Sequence, residues 1–178
     1  MSSRTFRLFP LAYHFSLQAY GRWLPGDPRG WHRRGDGTAA PPRSDDPIIY
    51  GLSRELQRYP SATITEPAGA TILQTLSSIA LEHEWRVYAV ATTPTHLHAV
   101  VSAPLKGIDI LRLIRDESQR RLVENGMIEP SRPFWSAGGY FSMVHTVRGL
   151  ERACRYVALH RTEASTVDVA GRPVAPLR

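Results

Sequence analysis

The sequence predicts an α+β fold, an antiparallel sheet with helices packed on it. Three observations carry this. Short stretches that alternate apolar and polar residues stand between longer stretches of helical period. One turn, Thr93-Pro94-Thr95, joins two such stretches closely enough for a hairpin. Strands and helices do not alternate regularly, as a parallel sheet would require. The order reads strand, long loop, helix, two strands, helix, hairpin, helix.

Leu11 to Tyr20 alternates and carries aromatics, and is the first strand. Gly21 to Pro60 changes character. It holds Pro25-Gly26-Asp27-Pro28, Arg33-Arg34-Gly35-Asp36-Gly37 and Pro41-Pro42, all chain breakers, and reads as one long loop. A loop of this length in a compact domain is commonly functional or disordered.

Thr65 caps the first helix, with Pro67 in its first turn. Ile72, Leu73, Leu76, Ile79, Ala80 and His83 then recur at helical spacing to about Glu84. Arg86 to Thr92 and His96 to Ser102 form the hairpin strands. Gly107 to Asn125 is an amphipathic helix with Ile108, Leu111, Ile114 and Leu122 inward and Gly126 after its end. Phe134-Trp135, Ala137-Gly138-Gly139 and Tyr140 to Val144 suggest a second short hairpin. The last helix runs from about Arg148 to Arg161, with Leu150, Ala153, Cys154 and Val157 as its buried stripe. The tail from 162 to 178 is irregular. No internal repeat, P-loop or dinucleotide fingerprint is present.

At 178 residues the chain fits a single domain, 1–178, with an insertion at 21–60. No apolar run approaches a membrane span, and the start lacks a signal peptide, so the expected location is cytoplasmic. The one cysteine, Cys154, excludes an intrachain disulfide and a multi-cysteine zinc site. Any metal must be held by histidine with carboxylate or amide partners.

Formal charge is +6, and Lys106 is the only lysine among 22 basic residues. Arginine forks phosphate and stacks on bases, which points to nucleic acid. An arginine-rich codon bias with solvated side chains is the alternative. In the long loop, Trp23 and Trp31 stand among Arg22, Arg29, Arg33 and Arg34, a pattern suited to unpaired bases and phosphates. The tryptophans could instead pin the loop to the body. Arg112, Arg115, Arg120 and Arg121 lie on the outer surface of the second helix, and Arg112 and Arg115 join the candidate DNA contacts.

His96 and His98 begin the second hairpin strand. Residues two apart on a strand share a face, so both rings point the same way, roughly 7 Å apart at the backbone. Leu97, Ala99 and Val101 then face the core. Such a pair can bind one metal ion, or can sit at a strand end bonded to backbone and water. On the last helix, Tyr156 and His160 are four apart and share a flank. If that helix crosses the histidine strand, His160 completes a three-ligand site with open positions, the catalytic pattern. Tyr156 then stands near the ion as a nucleophile for phosphodiester transfer. Taken alone, Tyr156 also fits a half-buried helix tyrosine bonded to a carbonyl.

His96-Leu97-His98 resembles the His-hydrophobe-His motif of the single-tyrosine HUH transposases, especially the REP-associated group. Thr93-Pro94-Thr95 stands where these proteins often carry Met-Pro-Asp. Tyr156-Val157-Ala158-Leu159-His160 resembles their tyrosine helix, and Phe134-Trp135-Ser136 with Tyr140-Phe141 the aromatic segment before it. The resemblance runs from the first strand through His160 and leaves the 21–60 loop unmatched in detail. It implies a ferredoxin-like sheet, Mg²⁺ or Mn²⁺ on His96, His98 and His160, and cleavage of single-stranded DNA near a hairpin. It also implies a 5′-phosphotyrosine intermediate on Tyr156. The family usually has Asn or Gln where His160 stands, and its Asn-Pro after the tyrosine is replaced here by His160-Arg161. Tyr140 is the second candidate nucleophile. Related enzymes act as monomers or as homodimers. The competing reading is a protein of the same descent that binds DNA hairpins without cutting. A His-x-His hydrolase barrel would need about 250 residues, more than this chain has.

Overall fold

The computed structural model describes residues 9–33 and 41–160. Four strands form one antiparallel sheet in the order β2-β3-β1-β4: β1 (Ala12–Gln18), β2 (Arg86–Thr92), β3 (His96–Ser102) and β4 (Tyr140–Val144). Helix α1 (Pro47–Glu55) lies between β1 and α2 (Glu66–Glu82); α3 (Gly107–Glu124) joins β3 to β4, and α4 (Val147–Leu159) follows β4. Strand β3 is inserted between β1 and β2, and β1 between β3 and β4, which is the split βαβ plan of a ferredoxin-like sheet.

Alternation along each strand divides the molecule into layers. Tyr13, Phe15 and Leu17 of β1 and Leu97, Ala99 and Val101 of β3 are buried on one face. There they meet Ile72, Leu76 and Ile79 of α2 and Ile110, Leu111, Ile114 and Leu122 of α3 in the main core. On the other face, Ala12, Ala89, Ala91, Val100 and Val144 form a smaller core with Val157 of α4. Leu150, Ala153 and Cys154 are only half-buried against it. The expected stripe on the last helix is therefore present, with Val157 its one fully buried member.

The caps follow local chemistry. Thr65 Oγ1 accepts from the Ala68 amide, 3.4 Å, and Thr146 Oγ1 from the Gly149 amide, 3.1 Å, each holding an otherwise unpaired helix N–H. Gly107 opens α3 so close to the sheet that a Cβ there would stand 2.5 Å from the Phe141 ring. That position needs a hydrogen, which is why the helix can approach β4.

Four expectations are corrected. The stretch from 21 to 60 is not all loop, because Asp46 accepts from the Ile48 and Ile49 amides and starts α1. Phe134-Trp135 does not form a hairpin with β4. The Tyr20 amide donates to the Phe134 carbonyl and the Ser136 amide to the Gln18 carbonyl, while β4 pairs with Ala12 to Ser16. Both segments thus run antiparallel to the β1 stretch of chain, and Ala137-Gly138-Gly139 interrupts that edge instead of reversing it. Ile108 is exposed, 40%, and the inward place in the first turn of α3 belongs to Ile110. His83 caps the C-terminus of α2 and is exposed. The tail from 162 onward lies outside the described residues. Among the described residues, no helix is long and apolar enough to cross a membrane.

Candidate active site

Even-numbered residues of β1 and β3 face α4. In register, Ser16 lies opposite His98, Gln18 opposite His96 and His14 opposite Val100. His96 and His98 thus point from the sheet toward α4, as their spacing predicts. Their ring centroids are 4.6 Å apart and the rings are nearly perpendicular. His160, at the C-cap of α4, comes down beside them, with its centroid 4.7 Å from His98 and 5.6 Å from His96. One nitrogen from each of the three lies within 4.8 Å of the others.

Each ring is held through its Nδ1. Thr93 Oγ1 and Thr95 Oγ1 lie 2.9 and 2.8 Å from His96 Nδ1. His160 Nδ1 donates to the Tyr156 carbonyl at 2.9 Å. His98 Nδ1 is 3.2 Å from His14 Nε2. Fixing one ring nitrogen in this way leaves the other as the ligand, the usual outer support of a metal-binding histidine.

Burial favours the uncharged form of His98, His96 and His14. His98 is pushed down to about 3, first by burial and then by the neighbouring His96, His14 and His160. His96 is lowered by burial, by His160 and by the Arg29 charge, and His14 by burial and by His160. Neutral imidazoles with free lone pairs are what a divalent cation needs. The donor set fits a metal ion with three protein ligands and open positions.

Tyr156 stands one helical turn before His160. Its ring centroid is 4.5 Å from His160, 5.3 Å from His98 and 5.5 Å from His14. It is 45% exposed, so its phenol reaches solvent over the cluster. The bond from His160 goes to the Tyr156 backbone carbonyl and leaves the phenol uncommitted. Tyr140, on edge strand β4, lies opposite Ser16 and is 49% exposed. It has no ring contact with the histidines among the described residues.

His14 is the member that sequence reasoning missed. Its signal lay in β1, where Ala12, His14, Ser16 and Gln18 form the alternate set to the apolar Tyr13, Phe15 and Leu17. Only the register of β1 on β3 reveals that this set meets His98.

The arginines and tryptophans are distributed differently. Trp23 Nε1 donates to the Gly30 carbonyl at 2.6 Å and Trp31 Nε1 to the Ser44 carbonyl at 2.9 Å, so both rings brace the loop. Arg29 packs over the Trp23 ring and forks the buried Asp27 carboxylate, both bonds 2.7 Å. Arg22 donates to the Ala62 carbonyl and the Thr63 hydroxyl. Arg33 is exposed, and Arg34 lies outside the described residues. Arg112 and Arg115 sit on α3, across the sheet from the histidines, and pair with Asp109 and Asp116. They are not brought together with the site.

No protein-family model matches the chain, and no curated protein matches it. Solved structures do. The REP-associated tyrosine transposase bound to a REP hairpin superposes with a TM-score of 0.50 at 8% identity, covering 89% of this chain and 71% of that one. A protein from Deinococcus radiodurans described as a transposase gives 0.49 at 13% identity, over 90% of this chain and 98% of that one. The chain has the fold of the REP-associated protein, a four-stranded antiparallel sheet with helices on both faces.

Proposed function

We propose that this chain is a metal-dependent single-stranded DNA endonuclease and strand transferase, a transposase acting at hairpin-flanked sites. The observation that carries the reading is the convergence of three histidines beside the exposed ring of Tyr156. A surface that only binds DNA has no need of that constellation. The fold shared with a transposase bound to a DNA hairpin supports the reading, as does the +6 charge.

His96, His98 and His160 would hold the ion, and three imidazoles favour Mn²⁺ over the oxygen-seeking Mg²⁺. When bound, the ion supplies charge stabilisation at a phosphate oxygen and a template for in-line attack. The chain supplies the nucleophile. Tyr156 Oη bonds to phosphorus as the bond from phosphorus to the 3′ oxygen breaks. The phenol proton passes to water, which reaches the half-exposed ring, and the 3′ oxygen leaves as a hydroxyl after taking up a proton. The product is a 5′-phosphotyrosine link, and a 3′ hydroxyl attacking it restores a phosphodiester and the free tyrosine.

Covalent trapping tests this. The protein is incubated with Mn²⁺ and labelled single-stranded oligonucleotides carrying hairpins from the flanks of its own gene, then run on a denaturing gel. A shifted band that needs metal and vanishes in Tyr156→Phe is expected. Tight hairpin binding without an adduct would instead indicate a protein that recognises DNA and does not cut it.

A further inference from the structure

Gln18 closes β1 on the face of the sheet that carries the histidines, and none of the contacts described above uses it. Alternate residues on this face run Ala12, His14, Ser16, Gln18. Ala12 joins the smaller core, and the set turns polar from His14 onward. Polar residues in succession are out of keeping with a sheet face otherwise made largely of alanine and valine. His14 is accounted for by its bond to His98. The register accounts for Gln18.

Gln18 stands opposite His96, and Ser16 opposite His98. Residues opposite one another on an antiparallel pair share a face, with Cβ atoms roughly 4.5–5.5 Å apart. Gln18 therefore sets out from beside His96. Its side chain then turns back along the strand, where Nε2 donates to Ser16 Oγ at 3.4 Å. The amide thus runs from the partner of His96 to the partner of His98, two of the three clustered rings. With Nε2 committed to Ser16, Oε1 is the free end. It has no hydrogen-bond partner among the described residues, and it keeps accessible surface.

An amide oxygen is a neutral, hard donor of the kind that Mn²⁺ and Mg²⁺ accept. We propose that Gln18 Oε1 is a fourth protein ligand of the ion held by His96, His98 and His160. This deepens the nuclease reading and rests on its metal centre. The histidines come from β3 and the end of α4, so Gln18 would tie the ion to β1 as well. Ser16 acts as a positioning residue, because holding Nε2 presents the opposite, oxygen end of the amide. One oxygen beside three nitrogens also makes the donor set more acceptable to Mg²⁺ than imidazoles alone. Positions on an octahedral ion remain open for a phosphate oxygen.

The test uses the full chain without DNA, with Mn²⁺ as the probe. Gln18→Leu removes the oxygen and is expected to lose at least about tenfold in Mn²⁺ affinity, since losing even an outer partner of a ligand commonly costs that much. Gln18→Glu keeps an oxygen at the same reach and is expected to match or exceed wild type. A merely structural Gln18 would also weaken binding, so the waters on the ion are counted at saturating Mn²⁺ by electron-nuclear double resonance in ¹⁷O-enriched water. Gln18→Leu is expected to carry one more water than wild type. Three results would overturn the proposal: wild-type affinity in Gln18→Leu, Gln18→Glu as weak as Gln18→Leu, or the same water count in Gln18→Leu and wild type. Because no cleavage is read, a chain that binds Mn²⁺ through Gln18 but never forms the tyrosine adduct refutes the nuclease and keeps the ligand. Metal-dependent adduct formation with a water count indifferent to Gln18 does the reverse.

Discussion

His14 Nε2 lies 3.2 Å from His98 Nδ1, a bond between two neighbouring strands that steadies one ring of the candidate metal cluster. The two residues are 84 positions apart, and only strand pairing brings them together. Outer partners of this kind are commonly worth about 10- to 100-fold in metal affinity. His14→Ala is therefore expected to weaken Mn²⁺ binding by about that factor, with His14→Gln recovering part of it. Electron paramagnetic resonance of free Mn²⁺ reads this directly, and unchanged affinity in His14→Ala would refute the positioning role.

His160 distinguishes the ligand set. His160→Ala removes one of three imidazoles and is expected to abolish measurable Mn²⁺ binding at micromolar protein. His160→Gln replaces nitrogen by an amide oxygen and should shift preference toward Mg²⁺. Competition calorimetry with the two ions compares the variants, and an identical Mn²⁺/Mg²⁺ ratio in wild type and His160→Gln would contradict an ion held at this position.

The buried histidines make stability depend on pH with a definite sign. His98 is at about 3 in the folded chain and near 6.5 when unfolded, so between those values the unfolded chain binds the extra proton. The stability contributed by its neutral form is full above about pH 6.5 and declines progressively as pH falls toward 3. His96 and His14 are lowered too and act in the same direction. Urea midpoints of the metal-free protein should fall from pH 7 to pH 4.5, and the slope should be shallower in His98→Asn. A midpoint flat across this interval in wild type would count against the buried neutral cluster.

On the opposite face of the sheet, Trp135 Nε1 donates to the fully buried Ser118 hydroxyl at 2.9 Å. Ser118→Ala leaves that N–H without an acceptor and is expected to cost about 1–3 kcal/mol of stability. Because α3 lies across the sheet from the histidines, Mn²⁺ affinity should be unchanged. Thermal and urea unfolding give the first quantity and metal titration the second.

Elements with a strong internal period were legible in the sequence. Helices α2, α3 and α4 and the β2–β3 hairpin declare themselves by spacing, caps and a turn, and His96, His98, Tyr156 and His160 follow from them. Helix α1 was not legible as a core element because it buries no residue fully, although Asp46-Pro47 is a helix start. His14 and the pairing of β4 were missed for one reason: the strand order, β2-β3-β1-β4, sets both, and no local pattern encodes which strands become neighbours. Trp23 and Trp31 have the composition of a base-stacking surface, yet their indole N–H groups are used to brace the loop.

Helix α4 carries Tyr156 and His160 but has one fully buried residue, Val157, set against a sheet face made largely of alanine and valine. Strand β3, with His96 and His98, is central in the sheet and buried along most of its length. A lightly anchored helix and one of the best anchored strands thus each supply part of one centre. An ion shared by all three histidines would act as a rivet between them, so that losing it frees a helix while the rest of the molecule stays folded.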